Sequence, residues 1–267
     1  MRLARGWCLT GLLFLTGLLA GCDWLEQPIN SPYKAYAEAE NTLYTAFTQR
    51  SPRYLDPARS YSSDETPYTY NIYEPLYGYH YLKRPYELIA RAAVAVDNPT
   101  LLDKDGNVLP DTADPDLVHE SVHEIQLKPG IMFQPHPAFA QEPDGKYTYY
   151  PLAPGALEDR YAITDFAKTG TRELTAHDYV YAFRRLASPR VASPIYSTLA
   201  QHVVGFAEYG EKLKAHEKTL REQTGDGELP WLDLRDFSFD GVKAVDDHTL
   251  RIRVKGSYPQ FKYWLSM

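Results

Sequence analysis

The sequence is short of cysteine, of basic clusters and of long apolar runs, and each shortage excludes a class of protein. It contains only 2 cysteines, so a disulfide framework is excluded and the fold must depend on a hydrophobic core. The formal net charge is −7 and no basic run follows the N-terminus, which argues against nucleic acid as a partner. The one strongly apolar segment, residues 7–19, is too short for a comfortable membrane span.

Common catalytic motifs are missing as well, with one exception. The sequence has no G-x-S-x-G nucleophile elbow and no phosphate-binding Walker loop. Residues 119–123 read His-Glu-Ser-Val-His, which matches the H-E-x-x-H pattern of zinc peptidases. In a helix the two histidines of this pattern lie about 6 Å apart along the axis and can share one ion. In a strand the same spacing is about 13 Å, which excludes a shared zinc.

Alternation favours the strand at this motif. His123, Ile125 and Leu127 share one parity from Ser121 onward, and Pro129-Gly130 then forms a turn. We therefore predict two surface histidines near the start of a strand, with no metal, no cofactor and no catalytic residue. A zinc peptidase that uses His119, Glu120 and His123 remains the enzymatic alternative.

The N-terminus has the pattern of an export signal. Two arginines precede the apolar segment, and Leu19-Ala20-Gly21-Cys22 resembles the bacterial lipobox. This pattern predicts a lipoprotein signal peptide over residues 1–21, lipidation of Cys22 and a polar tether over residues 22–41. Asp23 resembles the residue that retains Gram-negative lipoproteins at the inner membrane.

Hydrophobic periodicity and turn residues predict the remaining elements. Strands are expected at residues 41–49, at residues 121–127 and in hairpins near residues 97–116 and 241–255. Helices are expected at residues 68–77 (ending before Pro75), 173–189 (with a capping box of Thr175 and Asp178) and 207–223 (charged, exposed and ending at Gly225). Residues 134–172 contain five prolines and are predicted to form a long loop.

Several of these segments resemble bacterial family 5 extracellular solute-binding proteins. The resemblance is carried by LDPARSYSSDETPYTYNIYEPLY at residues 55–77, ELTAHDYVYAFRRLASPRVASPIYSTL at 173–199 and GVKAVDDHTLRIRVKGSYPQFKYWLSM at 241–267. Five motifs occur in the family's order, and the similarity covers roughly residues 42–133 and 165–267. The family comprises oligopeptide- and dipeptide-binding proteins of ABC importers.

The resemblance implies an α/β (mixed α+β) fold of the periplasmic binding protein type II kind. Residues 42–267 would form the N-terminal part of the solute-binding domain: a first lobe with a small subdomain and an insertion near residues 134–164. The chain stops about where members of the family cross to a second lobe, so that lobe is expected to be missing. A truncated fragment that does not bind ligand is therefore a further alternative.

The resemblance also implies where a ligand is held. An extended edge after the Leu-Asp-Pro loop and a segment after the Ala-Ser-Pro turn would contact the peptide, which gives the candidates Tyr61, Ser62, Ser63, Ile195 and Tyr196. Asp56, Tyr73 and Glu74 are expected to hold the loop and the neighbouring helix rather than the substrate.

The expected function follows from the family. The chain would be a substrate-binding lipoprotein of an ABC importer that captures peptides in the periplasm and delivers them to a membrane permease. Its expected partners are a peptide ligand, the ABC permease subunits and the inner membrane, which it would reach through lipidated Cys22. The protein is expected to be a monomer that binds no nucleic acid and is not an enzyme.

Overall fold

The computed structural model describes residues 51–152, 155–225 and 227–267. The predicted signal peptide, Cys22, the tether and the strand at residues 41–49 lie outside these residues. The helices are α1 (Thr66–Ile72), α2 (Ala176–Ala187), α3 (Tyr196–His202), α4 (Phe206–Thr224) and α5 (Phe261–Trp264). The strands are β1 (Tyr77–Tyr79), β2 (Leu88–Ala90), β3 (Thr100–Leu102), β4 (Val108–Leu109), β5 (Glu120–Gln126), β6 (Val242–Asp246) and β7 (Thr249–Lys255).

The strands form two antiparallel sheets. A five-stranded sheet has the order β4-β3-β5-β7-β6, and β1 pairs with β2 in a separate two-stranded sheet. Both predicted hairpins are present, as β3–β4 and β6–β7. The expected mixed α+β class is confirmed. No helix among the described residues has the length and apolar character needed to cross a bilayer.

The long pairing of β5 with β7 forms the centre of the larger sheet. Its register runs from Glu120 opposite Lys255 to Gln126 opposite Thr249. Alternate side chains of the two strands point to one buried face, which is formed by Ser121, His123, Ile125, Leu250, Ile252 and Val254. The predicted strand at the H-E-x-x-H motif is thereby confirmed.

Helix α2 packs on this buried face and begins where the capping box predicts. The backbone N–H of Thr175 donates to the Asp178 carboxylate at 2.9 Å, which satisfies one of the free donors at the helix start. Phe183 and Ala187 are buried in the core. The helix ends at Ala187, two residues before Pro189, because the residue that precedes a proline disfavours helical geometry.

Two helix predictions need correction. Helix α1 begins two residues earlier than predicted, with Pro67 in its first turn, and ends at Ile72. Helix α4 was expected to be exposed, but it buries one face. Phe206, Tyr209 and Leu213 on that face belong to the core, and the high charge of the other face concealed this amphipathic pattern.

The predicted loop at residues 134–172 has little regular structure. It contains two short 3-10 turns, and its ends meet through bridges between Met132 and Glu173 and between His136 and Gly170. Arg172 lies over the rings of Phe133 and Phe139, at 4.8 and 5.3 Å from their centroids. Cation–π contacts therefore hold the base of this loop.

Candidate ligand-binding loop

The Leu-Asp-Pro segment folds into a compact loop, residues 53–65, that leads into α1. The Asp56 carboxylate accepts a hydrogen bond from the Ala58 N–H at 3.0 Å, and the Asp56 carbonyl accepts from Arg59 and Ser60 at 2.9 and 2.8 Å. An aspartate that bonds the backbone two residues onward is a common way to close a turn. Pro57 follows it, where a fixed φ suits the turn.

An ion pair ties this loop to the end of α2. The two terminal nitrogens of the Arg185 guanidinium, Nη2 and Nη1, donate to the Asp56 carboxylate, at 2.6 and 3.2 Å. The pair is bidentate, which fixes direction as well as distance. Asp56 thus holds the loop in place, in agreement with the role expected for it from the sequence.

Glu65 is the centre of the loop, and the sequence prediction missed it. Its buried carboxylate accepts the N–H groups of Arg53 and Tyr54 on one oxygen, at 3.1 and 2.9 Å. The other oxygen accepts those of Tyr61 and Ser62, at 3.2 and 3.4 Å. One carboxylate therefore joins the two ends of the loop. The S-x-x-E spacing of Ser62 and Glu65 before α1 is a capping-box pattern that could have identified this contact.

The electrostatics of Glu65 favour its ionised form. Burial would raise the pKa of the carboxyl group, but hydrogen bonds from the backbone of Tyr54, Ser62 and Tyr61 hold that pKa below its ordinary value. The carboxylate is thus charged at neutral pH and is occupied by the chain itself.

Tyr61, Ser62 and Ser63 lie in the turn that enters α1. The N–H groups of Tyr61 and Ser62 are directed to Glu65, and the Ser62 carbonyl accepts from Glu65 and Thr66 at 2.9 and 3.1 Å. An extended edge was expected here, and the structure has a hydrogen-bonded turn instead. The Tyr61 side chain is 55% exposed and available to a ligand.

Ile195 and Tyr196 lie at the start of α3, and both pack against the core. The Tyr196 ring is 5.7 Å from the Phe206 ring, and the Lys214 ammonium lies 4.9 Å from its centroid. Gly210 of α4 faces this tyrosine so closely that a Cβ at Gly210 would be 2.4 Å from the Tyr196 hydroxyl oxygen. Both candidates are half-buried, which leaves part of each accessible.

The H-E-x-x-H motif does not form a metal site in the described residues. His123 is buried in the middle of β5, so the prediction of a surface histidine is wrong for this residue. Glu120 pairs with Arg253 across the sheet, at 2.6 and 2.7 Å, and His119 precedes the strand. No group of three histidine, cysteine or acidic side chains within the described ranges is placed to hold a metal ion.

The sequence is similar to curated periplasmic oligopeptide-binding proteins over part of its length. OppA of Salmonella typhimurium is 36% identical over 88 residues, and OppA of Escherichia coli is 35% identical over 89 residues. Each match covers 33% of this chain and only 12% of the relative's length. Both relatives are named as periplasmic oligopeptide-binding proteins.

The sequence identity to solved structures is lower. The murein tripeptide binding protein MppA of Escherichia coli is 16% identical, with a TM-score of 0.43, over 82% of this chain and 28% of that protein. No protein-family model matches the chain. The sequence matches confirm the resemblance to family 5 solute-binding proteins for the part of the chain that they cover.

Proposed function

We propose that this chain is part of a substrate-binding lipoprotein of an ABC importer, which captures peptides in the periplasm and delivers them to permease subunits. The main support is the 36% identity to a periplasmic oligopeptide-binding protein over 88 residues. The ordered loop that Glu65 and Asp56 organise is a suitable contact surface, since a ligand does not have to order it on binding.

The loop would contribute to peptide binding through groups that remain accessible. Peptides of varied sequence are best recognised through their backbones, with side chains resting on adaptable surfaces. Tyr61 offers an exposed aromatic face with one polar tip. Ser62, Ser63, Ile195 and Tyr196 are the further proposed contacts, and a second lobe of the complete protein would close over them.

Calorimetric titration of the full chain with pools of dipeptides to pentapeptides tests the peptide assignment. We expect saturable heat with at least one pool. The Tyr61→Ala variant should weaken that binding, and the exposed Tyr161→Ala variant, in the loop at residues 134–172, should leave it unchanged. The absence of binding to every pool would contradict the proposal.

The membrane location is a separate part of the proposal. The domain arrangement would be a signal peptide at residues 1–21, a tether at 22–41 and the binding domain at 42–267, with a lipid on Cys22 and retention at the inner membrane. The lipobox letters support this arrangement. Metabolic labelling with radioactive palmitate should mark the wild type and not the Cys22→Ser variant. An unlabelled wild-type chain in a lipoprotein-processing host would contradict the anchor.

A further inference from the structure

Two arginines of the loop, Arg53 and Arg59, contact the ring of one tyrosine, Tyr54. The guanidinium carbon of Arg59 lies 4.1 Å from the centroid of the Tyr54 ring, and that of Arg53 lies 5.4 Å from the same centroid. Both distances are within the range of cation–π attraction. In the part of the chain that the structure describes, neither guanidinium forms an ion pair with a carboxylate.

Two acids of the same loop already have partners. Asp56 is bound by both nitrogens of Arg185, and the buried Glu65 accepts four backbone N–H groups. Elsewhere in the described chain several arginines lie against carboxylates: Arg172 with Asp178, Arg190 with Glu217, Arg235 with Asp233 and Arg253 with Glu120. Arg53 and Arg59 differ from these four arginines, because each contacts the Tyr54 ring and no carboxylate among the described residues.

The arrangement has an electrostatic consequence. Because both guanidinium groups lie over one ring, they are within about 10 Å of each other, which is the screening length at 0.1 M salt. Their positive charges repel one another, and a bound anion would offset this repulsion. Guanidinium is planar and matches a carboxylate with two parallel hydrogen bonds.

The loop geometry brings this pair to the proposed ligand surface. Glu65 joins the backbone of Arg53 and Tyr54 to that of Tyr61 and Ser62. The Tyr54 ring and its two guanidinium groups therefore belong to the same short loop as the exposed Tyr61 side chain.

We propose that Arg53 and Arg59, held over Tyr54, bind a carboxylate of the peptide ligand. The inference rests on the proposed function and narrows it to peptides that bring their C-terminus or an acidic side chain to this loop. The tyrosine orients the two guanidinium groups, and the carboxylate oxygens accept their hydrogen bonds.

Matched peptides test this site on the full chain by calorimetry. The probes are trialanine, its C-terminal amide, and the C-terminal amide of alanyl-glutamyl-alanine. We expect the neutral-ended trialanine amide to bind at least about tenfold more weakly than the better of the two carboxylate-bearing peptides. Whichever carboxylate restores affinity identifies its source, as the C-terminus or as the side chain.

Variants of the two arginines test whether these residues bind the carboxylate. Arg53→Gln and Arg59→Gln should each weaken the carboxylate-bearing peptide about tenfold and leave the trialanine amide nearly unchanged. Arg59→Lys keeps the charge but lacks the planar guanidinium group, so its loss of affinity for the carboxylate-bearing peptide should be intermediate. Arg235→Gln is the matched control, because that exposed arginine already pairs with Asp233 at 2.6 Å. Raising the salt concentration should reduce the difference in affinity between the carboxylate-bearing and the amidated peptides.

The outcomes distinguish a failure of the carboxylate site from a failure of the proposed peptide-binding function. Equal losses for the charged and the amidated peptide, or no loss in either glutamine variant, would overturn the carboxylate site while peptide binding stands. If the wild type binds no peptide, titration with free glutarate, followed by NMR of the Arg53 and Arg59 side-chain N–H signals, becomes decisive. Selective shifts would support the anion site without the proposed function, and unmoved signals would overturn it.

Discussion

The imidazole of His123 lies 2.7 Å from the carboxylate of Asp97, and both side chains are buried. The same carboxylate accepts a hydrogen bond from the hydroxyl of Tyr77 at 2.5 Å. Tyr77 begins β1 and His123 lies in the middle of β5, so the three residues connect the small sheet to the large one. Phe261 of α5 packs against the imidazole, with 5.2 Å between ring centroids.

Removal of the Asp97 carboxylate should strongly destabilise the fold. Asp97→Ala leaves His123 and Tyr77 buried without their partner, and we expect a loss of about 3 kcal/mol in the free energy of unfolding. Urea denaturation followed by circular dichroism measures the loss. Glu87→Gln is the control, because its pair with Lys83 is half-exposed and should change the free energy of unfolding little. Equal effects of the two substitutions would contradict the role of Asp97.

The contact of Asp97 with His123 and Tyr77 predicts that the free energy of unfolding depends on pH. Burial would raise the pKa of Asp97, but hydrogen bonds from His123 and Tyr77 hold it below its ordinary value of 3.8. Because the folded-state pKa is depressed, the stabilisation is fully present above pH 3.8 and is lost as the pH falls through the folded-state pKa. The difference in unfolding free energy between wild type and Asp97→Asn should therefore shrink as the pH falls from about 5 towards about 3. A difference that grows in acid would refute this assignment.

Much of the large sheet could be predicted from the sequence. The alternation in β5 and β7 and the capping box of α2 are local signals, because each depends on residues close together in the chain. The buried face of α4 was missed, since its charged positions dominate the local composition. Strand β1 carries no local signal either, because three residues are too few for a pattern.

The candidate site was less accessible to sequence reasoning. The Leu-Asp-Pro loop was identified, and the structural role of Asp56 was expected. Its partner Arg185 is 129 residues away in the sequence, so no spacing rule could identify the pair. Likewise, the partner of His123 is Asp97, which lies in the connection between β2 and β3, and only the folded chain brings the two together.

The zinc hypothesis has a direct test. Since His123 is occupied by Asp97 and Glu120 by Arg253, we expect that zinc leaves the melting temperature of the wild type unchanged within about 1 °C. Differential scanning calorimetry with and without a tenfold excess of zinc measures this. Glu120→Gln should lower the melting temperature both with and without metal, because it breaks the pair with Arg253. A zinc-dependent rise in melting temperature that Glu120→Gln abolishes would support the zinc peptidase hypothesis instead.

The order of the ligand loop should depend on the charge of Glu65. Glu65→Gln replaces one acceptor oxygen with a donor, so two of the four backbone N–H groups lose their partner. We expect the amides of Tyr54, Tyr61 and Ser62 to exchange with deuterium at least about tenfold faster, while β5 keeps its protection. Glu65→Asp retains both oxygens and should recover part of the protection, and Glu222→Gln, at an exposed position of α4, serves as the control. Unchanged exchange in Glu65→Gln would show that the loop is held by Asp56 and Arg185 alone.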